Sequence, residues 1–389
     1  MSNTQKNVPE LRFPGFENGW SLKRFKDIFV FHNNLRKPIK ENLRVKGSYP
    51  YYGATGIIDY VDDYIFEGNY ILIGEDGANI ITRSAPLVYL AKGKFWVNNH
   101  AHILTPLNGN IQFLYQVAEL VNYEKYNTGT AQPKLNIQNL KNISVNISTD
   151  LEEQQKIGDF FSKLDRQIEL EEEKLELLEQ QKKGYMQKLF SQDLRFKDEN
   201  GNSYPEWSIK KIEDISKVNK GFTPNTKNDE YWDELNENWL SIAGMTQKYL
   251  YKGNKGITKK GASKHAKVDK DTLIMSFKLT LGKLAIVKEP IYTNEAICHF
   301  VWKESNVNTE YMYYYLNSIN ISTFGAQAVK GVTLNNDSIN SIIVKLPVIQ
   351  EQNKIAYFFN KLDKLIEKQS SKVESLKQRK KGLLQKMFV

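Results

Sequence analysis

The chain has 389 residues, 40 % apolar and 12 % aromatic, enough for two or more domains with sizeable cores and too much for global disorder. Its net charge of +9 fits a polyanionic partner such as nucleic acid. No apolar run is long enough to span a bilayer, "MSNTQKNVPELRF" lacks a secretory apolar core, and the single Cys298 excludes an intrachain disulfide and a cysteine-rich zinc site; the expectation is a cytoplasmic protein.

The chain opens on "LRF" at Leu11–Phe13 and "WSLKRFKDI" at Trp20–Ile28. "YPYYGATGIIDYVDDYIFEGNYILIGEDG" then alternates aromatic and β-branched runs with Gly and Asp breaks, which predicts short strands and tight turns. A short helix fits "NIQFLYQVAELV", and "LNIQNLKNISV" at Leu135–Val145 closes the region. Next, Ile157, Phe161, Leu164, Ile168, Leu175, Leu178, Tyr185 and Leu189 alternate spacings of four and three, with Glu171 and Lys182 in the gaps. That sustained heptad predicts one long helix with a coiled-coil seam over residues 151–191.

The same order then recurs. "LRF" at Leu194–Phe196 and "WSIKKIEDI" at Trp207–Ile215 open it, "TLIMSFKLTLGKLAIVKEPIYTNEAICHF" again reads as strands and turns, a helix fits "NTEYMYYYLNSI", and "LNNDSINSIIV" at Leu334–Val344 closes it. "QKIGDFFSKLDRQIE" from Gln155 returns as "NKIAYFFNKLDKLIE" from Asn353, 198 residues on. The second heptad is Ile355, Phe359, Leu362, Ile366, Val373, Leu376, Leu383 and Met387, with Gln369 and Lys380 in its gaps. Between these bookends the halves differ almost completely. The divisions are 1–150, 151–191, 192–347 and 348–389, and the class is mixed α/β: two domains separated by an antiparallel, pseudo-two-fold pair of repeated helices.

Charge favours the two helices as mutual partners. Residues 151–191 carry seven basic and ten acidic side chains, net −3, and residues 348–389 carry ten and four, net +6. If heptad layers are numbered one to ten, full antiparallel overlap (ordinals summing to eleven) sets Glu171 on Val373 and Lys182 on Leu362. A sum of thirteen pairs Glu171 with Lys380 and Lys182 with Gln369. The cost of an unpaired buried charge predicts the second register, with Ile157, Phe161, Ile355 and Phe359 left outside the seam to pack on the domains or on a partner.

No catalytic constellation is found. There is no GxxxxGK[ST], no GxGxxG after a strand, and no proline followed by Pro or Asp, which removes the Asn-Pro-Pro motif of amino-methyltransferases and the Pro-Asp start of a common nuclease motif. His100 and His102 could share a strand face toward a metal, but a third ligand at metal spacing is absent and a polar structural role fits better. His32, His265, His299 and Cys298 read as packing residues, and Asp62-Asp63 and Glu75-Asp76 as solvated turn acids. Neither metal nor cofactor is expected.

Basic, polar loops with interleaved aromatics are what remain. Lys and Arg neutralise phosphates, while Asn, Gln, Thr, Arg and Lys can read base edges. The first half offers Lys37, Lys40, Arg44, Tyr52, Thr55, Lys94, Asn98, Thr130, Gln132 and Lys134. The second offers Lys220, Thr223, Asn225, Thr226, Lys248, Lys260, Lys264, Gln327, Lys330 and Thr333. The triplets Thr130, Gln132, Lys134 and Gln327, Lys330, Thr333 both precede the closing segments.

The plan resembles the specificity (S) subunit of type I restriction–modification systems, over the whole chain. "EEQQKIGDFFSKLDRQIE", "QEQNKIAYFFNKLDKLIE", the two "LRF…WS" openings, "GFTPNTKNDEYW" and "YPYYGATGIIDY" carry the resemblance. It implies two target recognition domains, each reading one half of a split double-stranded DNA sequence. It also implies repeated helices that act as a spacer and bind two modification (methyltransferase) subunits, with restriction subunits (ATP-dependent translocase/endonuclease) joining, and no chemistry in the subunit itself. The competing readings are a two-domain coiled-coil scaffold and an enzyme with an unrecognised site.

Overall fold

The computed structural model describes residues 7–129, 131–263, 265–278, 280–328 and 331–389, and of residues 326–333 only the backbone where described. Contacts divide the chain into two compact units, Met1–Glu173 with Ser370–Val389, and Lys174–Gln369.

In the first unit six strands form a mixed sheet: β1 (Phe29–Phe31), β2 (Lys46–Gly53), β3 (Gly56–Val61), β4 (Phe66–Gly74), β5 (Val88–Val97) and β6 (Ala101–Pro106), in the order β1-β6-β4-β5-β2-β3. Central β4 is covered on both faces, and side chains alternate along it. Ile71 and Ile73 meet helix α1 (Ile111–Glu119) through Phe113, Leu114 and Val117, while Leu72 joins Tyr52, Phe66 and Phe95 in a second cluster. Asn110 starts α1 by accepting from the Phe113 amide at 2.9 Å.

The second unit holds a five-stranded sheet of β7 (Ser216–Lys220), β8 (Tyr249–Leu250), β9 (Leu273–Ser276), β10 (Leu284–Val287) and β11 (Ile297–Trp302), in the order β7-β11-β9-β10-β8. Helix α3 (Thr309–Ser318) packs on it, and Asn308 caps that helix on the Tyr311 amide at 2.8 Å, as Asn110 caps α1. In both units the repeated opening and closing segments are neighbours. Ser21–Arg24 pairs antiparallel with Ser144–Ile147, and Ser208–Lys211 with Ile343–Leu346.

The two heptad segments are single helices, α2 (Leu151–Ser191) and α4 (Ile349–Met387). Asp150 caps α2 by accepting from the amides of Glu152 and Glu153 at 2.9 and 3.2 Å, and Gln192, at φ 69°, ends it in the left-handed conformation. Each unit takes part of both helices. In the first, the beginning of α2 runs antiparallel to the end of α4; in the second, the end of α2 runs antiparallel to the beginning of α4.

The pairing is antiparallel, but the expected register is not formed. In the first unit Lys380 meets Asp165 at 2.6 Å, Glu171 meets Lys372 at 2.5 Å and Glu172 meets Lys377 at 2.6 Å. In the second, Lys182 meets Asp363 at 2.7 Å. Asp165 and Asp363 adjoin the third layers, Leu164 and Leu362, while Lys380 and Lys182 are the eighth, so the ordinals sum to eleven. The pairs Glu171 with Lys380 and Lys182 with Gln369 are therefore corrected. The penalty that argued for them does not arise, because long side chains leave the seam and find a carboxylate at its margin. Full overlap also lets Ile157, Phe161, Ile355 and Phe359 reach zero exposure, each within the core of its own unit.

Candidate nucleic-acid interface

Each domain is held on its helix by the same set of three residue types, Arg, Trp and Glu. Glu153, in the first turn of α2, is fully buried; it accepts from Arg12 Nε and Nη2 at 2.5 and 2.9 Å and from Trp20 Nε1 at 3.2 Å. Glu351, in the first turn of α4, is equally buried; it accepts from Arg195 Nε and Nη2 at 3.2 and 2.8 Å and from Trp207 Nε1 at 3.0 Å. A forked guanidinium and an indole leave the carboxylate fully satisfied, and the start of a helix favours its charge. The shared "LRF…WS" and "EEQQ"/"QEQN" pieces are the parts of this joint.

On that frame five loops of the first domain converge. Gly74 lies so close to the Ala54 carbonyl that a Cβ would stand 2.5 Å from it, which brings the Thr55 turn against the end of β4. Beyond it, Glu75 accepts from Arg36 Nη1 at 2.5 Å and lies 3.5 Å from the Lys134 ammonium, while its carbonyl takes the Leu135 amide at 2.7 Å. Arg36 also donates to the carbonyls of Asn99 and Ala101. Burial raises the Glu75 pKa, but the Arg36 hydrogen bond and neighbouring cations outweigh it and hold the carboxyl below its ordinary value. Asn127 folds the next loop by accepting from the amides of Gly129 and Lys134 at 3.0 and 2.8 Å. Exposed Thr55, Gln132 and Lys134 are thereby presented together, with Lys37 beside Arg36.

Other expected contacts lie elsewhere or point inward. Lys40 is exposed; Arg44 pairs with Asp59 at 3.2 Å and lies over the Tyr51 ring, and Lys94 lies over Tyr64. Tyr52 is buried against Tyr89 and Phe95, and buried Asn98 accepts from the His100 amide, so neither is a surface contact. Their polar atoms misled the sequence reading, because one face of β2 and the turn after β5 close on the core. Glu75 likewise is a half-hidden hub, not a solvated turn acid; its partner Arg36 is 39 residues away, beyond the reach of any local pattern.

In the second domain Lys220, Asn225, Thr226 and Lys260 are exposed; Lys260 pairs with Glu230, and Thr223 accepts from Asn294 Nδ2 at 2.8 Å. Lys255 and Lys267 lie over Trp232 and Tyr292, and exposed His265 stacks on Phe222 at 3.6 Å between centroids, so it is no core residue. Gly221 serves the chain's own backbone: a Cβ there would meet the Thr293 carbonyl at 2.1 Å. Lys248 is not a free loop lysine, being enclosed by Glu310, Asp363 and three tyrosine rings. Gln327 and Thr333 belong to a two-stranded ribbon, Ala326–Ala328 with Gly331–Thr333. Thr130, Lys264 and Lys330 lie outside the described residues.

His102 is buried, shares hydrogen bonds with Asn33 and the Leu135 carbonyl, and has its pKa lowered by burial. His100 pairs with Asp76 at 2.7 Å. Burial pushes the Cys298 thiol up to about 12. Among the described residues no group of three His, Cys, Asp or Glu side chains is placed to hold a metal ion, and no helix is long and apolar enough to cross a membrane.

The type I restriction modification DNA specificity domain matches the chain twice, at residues 17–180 and 204–377. A putative type I restriction enzyme specificity subunit of Haemophilus influenzae is 30 % identical over 388 residues, covering 94 % of this chain and 92 % of its own. The MjaIX specificity subunit of Methanocaldococcus jannaschii is 28 % identical over 209 residues, covering 51 % of this chain and 48 % of its own. The crystal structure of a type I restriction–modification S subunit from M. genitalium shares the fold, with a TM-score of 0.67, 17 % identity and coverage of 98 % of this chain and 99 % of that one. This chain belongs to the family of type I restriction–modification DNA specificity subunits.

Proposed function

We propose that each recognition domain reads one half of a split DNA target, and that the repeated helices serve as spacer and as docking site for two modification subunits, which restriction subunits join. The observation that carries this reading is the duplicated joint, Arg12–Glu153–Trp20 and Arg195–Glu351–Trp207, beneath two unlike loop surfaces. Repeated parts suit two copies of one partner; divergent parts suit two different half-sites. A helix of 41 residues is about 60 Å long, against about 34 Å for a turn of DNA, so such helices suffice to space two half-sites.

Grooves beside the helix ends support docking. In the second unit a groove of about 750 Å³ lies among Met186, Phe190, Tyr315 and Lys345. In the first, the residues at equivalent places, Phe388, Val117 and Asn146, line one of about 230 Å³. The chain itself contributes no methyl transfer or cleavage. Incubated alone with labelled methyl donor and duplex DNA it should give no turnover; turnover would assign it an active site. Co-expression with its modification subunit followed by methylome sequencing should return a bipartite motif. Sequence-independent DNA affinity and no motif would favour the scaffold reading.

A further inference from the structure

We propose that Lys248 and Asp363 are positioning residues that fix the seat of the second recognition domain on the helices, and thereby the gap length tolerated between half-sites; this rests on the split-target reading above. Lys248 precedes edge strand β8 and leaves the DNA-facing loops for the interior. Its ammonium lies 2.6 Å from Glu310 on α3 and 3.7 Å from Asp363 on α4, and donates to Tyr314 Oη at 2.7 Å and to Asn360 Oδ1. The rings of Tyr249, Tyr313 and Tyr314 surround it at 4.2–5.0 Å from their centroids. Asp363 in turn holds Lys182 of α2 at 2.7 Å and accepts from the Tyr314 hydroxyl. Domain sheet, domain helix and both repeated helices thus share one polar node.

Apart from this node and the Arg195–Glu351–Trp207 joint at the start of α4, the seat is largely apolar, built on Phe359, Leu362, Tyr311 and Tyr315. Apolar contact is non-directional and tolerates a small roll or slide. A largely desolvated ammonium with three fixed acceptors and a second carboxylate at 3.7 Å does not, because another seat leaves charge buried and unpaired. The first unit repeats the helix pair, Asp165 with Lys380, but there the domain answers with the buried Gln116 amide, 3.0 Å from Asp165. Both domains share the buried arginine–glutamate joint; the lysine node is an addition found in the second.

The test maps methylated sites in a host carrying the chain with its modification subunit. Wild-type protein should use one gap length. Lys248→Met and Asp363→Asn should keep both half-site sequences but accept gaps one base pair longer or shorter, lowering gap discrimination about tenfold or more. Lys252→Met, at an exposed lysine paired with Glu237, should keep the wild-type gap. Unchanged gap strictness in both node variants would overturn the proposal. So would altered second half-site bases, or loss of all methylation by both variants while Lys252→Met stays active, since the node would then act in base reading or folding alone. A continuous motif from the wild-type protein would instead overturn the split-target reading.

Discussion

His299 is buried beside Thr293, and burial pushes its pKa down to about 4. The folded state keeps the imidazole neutral, whereas the unfolded chain protonates it below about 6.5. Between those values the unfolded state binds more protons, so stability is full above pH 6.5 and falls as pH drops toward 4, by about 3 kcal/mol in the limit. Thermal unfolding at pH 5 and 7.5 should show that slope, and His299→Gln should reduce it, leaving the part that buried His102 contributes in the same direction. The proposed DNA face offers a second test. Lys134 is half-exposed and only partly neutralised by Glu75, whereas Gln132 is exposed on the same loop. Lys134→Ala should weaken binding to all sequences and reduce the salt slope. Gln132→Ala should relax one base position at a cost of about 1–3 kcal/mol. Filter-binding titrations over a salt series separate the two; unchanged affinity and slope in both variants would remove this loop from the interface.

At the scale of elements, the helix ion pairs divide their labour. Asp165 and Asp363 occupy the same place in the repeat, as do Lys182 and Lys380, so the lysine–aspartate pairs would form even if a helix paired with a copy of itself. They set register, not partner. Glu172 with Lys377 does choose: the residue equivalent to Lys377 in the first helix is Glu179, so self-pairing would oppose Glu172 with a like charge. The pair is half-exposed and contributes about 0.5 kcal/mol. Glu172→Lys should lower the melting temperature slightly, less so at high salt, and Lys377→Glu added to it should restore the loss. A double-mutant cycle with no coupling would count against partner choice. The helices themselves were legible because ten positions of unbroken heptad leave no competing period. Their register was not, because the decisive residues, Asp165 and Asp363, stand beside the seam and not in it.

At the scale of the whole molecule, each opening segment pairs with its own closing segment, which supports the proposed modular readout. Exchanging residues 11–147 for the matching region of a relative should alter one half of the methylated motif and leave the other. Both halves changing together would show that the domains do not read independently. The exchange carries Arg12 and Trp20 with it, so the incoming segment must supply both partners of Glu153.

By itself the sequence determined the duplication, the long helices, the strand-rich domains and the family, because each is written in local periodicity or in repeated words. What only the tertiary structure decided is which polar side chains are free. Tyr52, Asn98 and Lys248 sit in loop-like or alternating segments, yet the fold closes over them. Glu75, Arg36 and Glu351 look like surface charges, yet they are the hubs on which loops and domains are hung. Periodicity records how a residue faces its neighbours in the chain. Burial of a charge depends instead on a partner 39, 156 or 115 residues away, and that pairing exists only once the chain has closed on itself.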